Sequence, residues 1–450
     1  MDKESLDNYR PIALTSIFSK IFEYAFLDRL SSFLSKHNVI KSNQFGFKSK
    51  VSTTDAVYNF IERVTKVMEA GERPVGIFCD LSRAFDCVDH NRLLGKLLDY
   101  GVRGIPLQWV SSFLTGRRQF VTLRGANGQE AVCSETVEIN IGVPQGTVLS
   151  PILFSLYIND IADCVDPTCD ITLYADDSSL LASGCNDDVL LRNCNCNLNK
   201  IMDWYKVNLL YLNPSKTYCV RFHSRQKDCH YPDIAIDNVP ITYRESVRFL
   251  GIEVDQNLNW GNHCTGIISE LSSSCYLFKS LRNLLTFEQL TMLYHARVGS
   301  KLRYAIILWG SSSHAGDVFL YQKRVLRSIL GLKPTDSCRP AFKSLKILTL
   351  TSLYIYEVCT YVYAHKSSFI LGQDSHNLNT RNKSSFHVRF ARLDTTRNMP
   401  HCMGLKIFNY LPEHLRNVAS VGRFKSQLKT YLLDRSIYSL GEFCPRLVGG

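Results

Sequence analysis

No stretch of the 450 residues reaches the ~18 consecutive apolar positions that a membrane span requires, which argues against a transmembrane helix. The opening Met1-Asp2-Lys3-Glu4 lacks the apolar core of a secretory signal, so export is not expected. No Cys-x-x-Cys pair occurs among the 16 cysteines, and Cys194-Asn195-Cys196 has no second pair at finger spacing. His376, His387, His401 and Cys402 are spaced too irregularly to read as a zinc site. The cysteines sit instead inside apolar patterns such as Phe78-Cys79-Asp80 and Tyr218-Cys219-Val220, as reduced, buried thiols of an intracellular protein do. Internal repeats and low-complexity tracts are also missing. A hydrophobic content of 45% excludes a wholly disordered chain, and the length suffices for two or three cores.

Acidic residues are scarce in one part only. Residues 300–450 hold 22 Lys+Arg against 8 Asp+Glu, a net of +14, whereas residues 1–299 hold 30 against 33, a net of −3. So lopsided a surplus favours a polyanionic partner for the C-terminal part.

Three stretches carry the chemistry. Val75-Gly76-Ile77-Phe78-Cys79 is a β-rich apolar run that ends abruptly in Asp80, either a helix cap or a cation ligand. Gly142-Val143-Pro144-Gln145-Gly146-Thr147-Val148-Leu149-Ser150-Pro151 is a Gly/Pro-punctuated loop entering an apolar helix, Ile152 to Val165. Ile171 to Leu181 reads as two short strands with Asp176-Asp177 at the tight turn. Asp-Asp is not a favoured turn pair, and adjacent carboxylates repel unless a cation lies between them.

Elsewhere the periodicity predicts a helix from Ile17 to Leu30 with one apolar face, continued by Ser31 to His37. A second, capped by Thr53 or Thr54, carries the stripe Val57, Phe60, Ile61, Val64 and Met68. A β meander is expected from Arg117 to Asn140, with turns at Gly125 and Asn127-Gly128. The order strand, helix, hairpin, helix, strand is the βαββαβ arrangement of a ferredoxin-like sheet. Helices dominate from Asn262 onward, with Thr286-Phe287-Glu288-Gln289 a capping-box start.

In this order and spacing the three stretches resemble motifs A, B and C of a reverse transcriptase, with Tyr174-Ala175-Asp176-Asp177 as the matching tetrapeptide. Asn8-Tyr9-Arg10-Pro11-Ile12, Asn43-Gln44-Phe45-Gly46-Phe47-Lys48, Leu212-Asn213-Pro214-Ser215-Lys216 and Phe249-Leu250-Gly251 are similar to the non-LTR (LINE-type, jockey/CR1-like) branch.

The resemblance implies an α+β right-hand polymerase fold: a ferredoxin-like palm with partial fingers, a helical thumb and a basic helical C-terminal extension. The implied boundaries are 1–74 for partial fingers, 75–260 for the palm with motifs A to E, 261–310 for the thumb and 311–450 for the nucleic-acid-binding extension. The implied activity is RNA-directed DNA synthesis by two-metal phosphoryl transfer, with RNA template, DNA primer and dNTPs as partners.

By the same resemblance Asp80, Asp176 and Asp177 hold two Mg²⁺ ions, with Mn²⁺ as a substitute. Hard carboxylate oxygens suit such ions. Asp86 reads as a cap or salt-bridge member. Phe85 is the steric gate against a ribose 2′-hydroxyl, or plain core packing. Gln145 and Gly146 shape the nucleotide pocket, Arg10 and Lys48 hold phosphates or template, and Lys216 protonates departing pyrophosphate. Lysine at position 48, where the family has arginine, lacks the planar fork and should grip phosphate less directionally. Phe249, Leu250 and Gly251 form the primer grip.

Relatives begin with an endonuclease and a longer fingers segment, so the chain reads as N-terminally truncated, with a loosened nucleotide clamp. Neither an endonuclease nor an RNase H domain is expected in it. A catalytically silent RNA-binding remnant and a group II intron maturase are the competing readings.

Overall fold

The computed structural model describes residues 9, 11–123, 131–224, 231, 233–237, 239–371 and 385–445. The chain divides into two compact units: 1–60 with 72–221 and 228–244, and 61–71 with 222–227 and 245–450.

The first unit is built on a five-stranded sheet. Its order is Thr242–Tyr243, Tyr218–Arg221, Arg73–Cys79, Asp177–Gly184, Cys169–Tyr174. The central strand Arg73–Cys79 is buried from Pro74 onward, as a run of Val, Ile and Phe with no polar alternation requires. It pairs antiparallel with strands on both sides, while Thr242–Tyr243 joins the edge in parallel. The helices Ser150–Tyr157 and Asp187–Val207 connect the strands, giving the expected strand, helix, hairpin, helix, strand order. Leu153, Phe154, Leu156 and Tyr157 from one helix, and Leu190, Leu198 and Ile201 from the other, form the core with Val75 and Ile77.

Several expectations shift on inspection. The apolar helix after the Gly/Pro loop is α-helical only over Ser150–Tyr157 and continues as a 3₁₀ turn, Asn159–Asp163. The second helix, Thr53–Glu69, is capped by Ser52 rather than by either threonine. Ser52 Oγ accepts from the Asp55 amide, and the Asp55 carboxylate accepts from the Ser52 amide at 2.7 Å. The meander is a ribbon pairing Arg117–Gln119 with Val137–Ile139 and Thr122–Leu123 with Val132–Cys133; the turns at Gly125 and Asn127-Gly128 lie outside the described residues. In the helix Ile17–Lys36 the expected apolar face is not buried: Ile17, Phe18, Ile21 and Phe22 are exposed, and the buried residues are Glu23, Leu30 and Leu34. Apolar residues run nearly all round this helix, so its sequence specifies no single inward stripe.

The second unit holds the hairpin Ser246–Phe249/Ile252–Asp255 and a helical array. Gly261–Leu281 packs on Ala315–Leu330, and Leu350–Ala364 on Val421–Arg435. Thr286 and Gln289 form the expected capping box of Phe287–Tyr294. The described cysteines are all unpaired, and among the described residues no helix is long and apolar enough to cross a membrane.

Candidate active site

Asp80 is the first residue beyond the central strand, and the backbone holds it there. The Asn213 amide donates to Asp80 O at 2.9 Å, and the Ser82 amide donates to Tyr211 O at 2.9 Å. Leu81 and Leu212 make the bridge between these bonds. This strap carries the 3₁₀ turn Pro214–Lys216 to the strand end, where Lys216 Nζ lies 3.8 Å from the Asp80 carboxylate. Both side chains are substantially solvated, so the pair is weak and easily displaced. Beside Asp80, burial pushes the Cys79 thiol up to about 12, so that group stays neutral and adds no charge to the carboxylates.

The hairpin resolves the question raised by two adjacent acids. Tyr174 pairs with Asp177, so the two turn residues are Ala175 and Asp176, and Asp177 is already in the return strand. Ala175 takes the left-handed conformation, φ +55°, that tight turns favour. The last pair between the central and return strands is Cys79↔Ser178; Asp80 directly follows that pair on one strand and Asp177 directly precedes it on the other. Asp177 is exposed and Asp176 half-exposed. Ser178 anchors the return strand through a 2.8 Å hydrogen bond with the buried Tyr205 hydroxyl.

A segment that the sequence marked only for phosphate binding forms the outer wall of this hairpin. The Phe45 amide donates to Leu173 O at 2.8 Å, the Leu173 amide to Asn43 O at 2.9 Å, and Asn43 Nδ2 to Ile171 O at 3.0 Å. Gly46 is pressed against the Tyr174–Ala175 backbone, where a Cβ would collide with the Ala175 nitrogen. Lys48 follows two residues later, half-exposed. Arg10 lies outside the described residues.

Phe85 and the Gly/Pro loop form a second wall. Phe85 stacks on Phe154 with ring centroids 4.5 Å apart, and its carbonyl accepts from the Val143 amide at 2.8 Å. Gly142, at φ +82°, lies against the Asp86 backbone, and its carbonyl contacts the buried His90 Nε2 at 2.8 Å. Asp86 does not cap the helix His90–Asp99, which Asp89 caps; it accepts from Gln145 Nε2 at 2.9 Å. Gly146, at φ +99°, is exposed and flanked by Ile12 and Ala13.

Three carboxylates at neighbouring strand ends are hard oxygen donors of the kind Mg²⁺ selects. Among the described residues no three acidic, His or Cys side chains converge into a preformed cage, including at His387, His401 and Cys402.

Phe249, Leu250 and Gly251 belong to the second unit. Phe249 is buried, while Leu250 and Gly251, both at positive φ, form the two-residue turn of the hairpin. The Tyr304 hydroxyl donates to Leu250 O, a link that nothing in the local sequence announces.

Residues 1–254 match the sequence family described as reverse transcriptase (RNA-dependent DNA polymerase). Two relatives from Drosophila melanogaster are the probable RNA-directed DNA polymerase from transposon BS and the RNA-directed DNA polymerase from mobile element jockey. The first is 28% identical over 73% of this chain and 36% of its own length. The second is 27% identical over 76% and 38%. The chain thus spans little more than a third of these relatives' length. Among solved structures, telomerase from Candida albicans in complex with a telomeric RNA fragment matches 73% of this chain and 56% of its own, at 11% identity and a TM-score of 0.37.

Proposed function

The chain belongs to the reverse transcriptase family, and on that premise we propose that it extends a DNA primer on an RNA template, as the polymerase of a non-LTR retrotransposon. The observation that carries this reading is the register ending at Cys79↔Ser178, which brings the end of the strand that Asp80 follows beside Asp177 and the turn bearing Asp176. Phosphoryl transfer asks a protein for positioning and charge neutralisation more than for covalent work, and divalent ions held by these carboxylates would supply the neutralisation. Asp80 and Asp176 are the proposed ion-bridging pair, with Asp177 in support. Two Mg²⁺ ions bound there, or Mn²⁺ in their place, would activate the primer 3′-hydroxyl and neutralise the leaving phosphate.

The surrounding residues have matching tasks. Phe85, stacked on Phe154, is the proposed steric gate against a ribose 2′-hydroxyl. Gln145 and Gly146 form the nucleotide-pocket loop, with Gln145 oriented by Asp86. Lys216, held near Asp80 by a weak pair, is free to turn toward departing pyrophosphate and protonate it. Lys48 and Arg10 contact triphosphate or template, and Phe249, Leu250 and Gly251 the primer.

The βαββαβ sheet supports a ferredoxin-like palm within 75–260, preceded by partial fingers over 1–74. The helices of 261–310 are the proposed thumb, and the basic stretch 311–450 a sequence-independent grip on nucleic acid.

Primer extension by the purified chain tests the proposal. With an RNA template, a DNA primer, dNTPs and Mg²⁺, incorporation is expected to depend on every component. Failure to incorporate dNTPs under any divalent ion would contradict it.

A further inference from the structure

Glu23 is fully buried, yet it sits on the half of the helix Ile17–Lys36 whose neighbours Ile17, Phe18, Ile21 and Phe22 face solvent. A buried carboxylate is costly unless its oxygens are hydrogen-bonded, and an apolar side chain would pack there at less cost. Both carboxylate oxygens act as acceptors. Oε1 accepts from Ser19 Oγ at 3.0 Å, and Oε2 from the amides of Val148 at 2.7 Å and Leu149 at 3.3 Å.

Those amides belong to the two residues immediately before the helix Ser150–Tyr157, whose N-cap residue Leu149 makes no side-chain cap of its own. The positive end of a helix favours an anion beside it. Glu23 places its carboxylate at that end from far away in the sequence. On the other flank of the loop, the Ala13 amide donates to Gln145 O at 2.7 Å, and Ile12 packs against Gly146. Residues 12–23 therefore hold the segment Gln145–Leu149 at both ends.

We infer that Glu23 is a positioning residue for the nucleotide-pocket loop, setting Gln145 and Gly146 through the backbone of Val148 and Leu149; this rests on the polymerase reading above. Glu23 touches no substrate. Its effect is exerted through the loop, so its loss should appear in dNTP binding before it appears in chemistry.

Steady-state primer extension with varied dNTP tests this. Glu23→Ala is expected to raise the dNTP KM roughly tenfold, with kcat changed less than about twofold, because a charge-assisted bond to two amides is removed. Glu23→Gln keeps a neutral acceptor and is expected to recover most of the loss, leaving KM about threefold high. Hydrogen exchange at the Val148 and Leu149 amides should quicken in Glu23→Ala and change less in Glu23→Gln. An active Glu23→Ala protein with unaltered KM, or one losing kcat alone, overturns the inference and leaves the polymerase reading standing. Should Glu23→Ala fail to fold, an unchanged KM in Glu23→Gln overturns it equally. A wild-type chain that extends no primer overturns the polymerase reading, and this inference with it.

Discussion

Gly46 lies so close to the backbone nitrogen of Ala175 that no side chain fits between them. This close approach joins the N-terminal segment to the turn carrying Asp176. Gly46→Ala should push that turn away from Asp80 without unfolding the sheet. Because misplacing reacting groups by about 1 Å can cost 10²-fold, primer extension should fall by about that factor. Near-wild-type kcat in a variant with unchanged circular dichroism would show that the turn does not depend on this approach.

The 2.9 Å bond from Gln145 to Asp86 predicts coupling between residues that the sequence presents as separate. Gln145→Ala and Asp86→Ala should each raise the dNTP KM, and the double variant should be little worse than either single one. A double-mutant cycle should give about 1 kcal/mol or more of interaction. Additive effects would mean the bond orients nothing.

Burial holds His263 down at about 4, despite an opposing influence from Glu270. The unfolded chain takes up this proton near pH 6.5, the native chain only near pH 4, so native stability is lost as pH falls across that window. His263→Phe keeps an edge-on aromatic contact with Trp309 but cannot titrate. Melting curves between about pH 7 and 4 should therefore show a shallower decline in the variant. An equally steep decline would place the acid sensitivity elsewhere.

The helix Val421–Arg435 buries Phe424, Leu428 and Leu432 and leaves Arg423, Lys425 and Lys429 exposed. If the basic part of the chain grips phosphates, replacing these three with alanine should weaken RNA binding. It should also reduce the slope of log affinity against log salt by up to about 0.9 for each phosphate no longer neutralised. An unchanged slope would remove this face from the interface.

What was legible in the sequence was local. The central strand ending at Asp80 followed from an unbroken apolar run, and the Thr286 cap from residues three apart. The hairpin was legible too, but not its turn. The left-handed position is held by Ala175, which carries no glycine or asparagine signal, so the sequence suggests both acids for a turn to which only Asp176 belongs. The exposed first helix misled because its apolar residues define no single face. The ties that assemble the candidate site were invisible: Glu23 to Val148, Asn43 to Leu173 and Asn213 to Asp80 join distant segments mostly through backbone groups, which every residue carries. A charged residue at a buried helical position was the one available hint of the first tie.

Asp80, Asp176 and Asp177 are proposed to hold the metal ions that drive primer extension. The most direct test is single-turnover primer extension by Asp176→Asn, which keeps the side-chain shape and removes one ligand charge. Extension should be abolished in Mg²⁺, while RNA binding and the melting temperature stay at wild-type values. Extension at the wild-type rate would contradict the account.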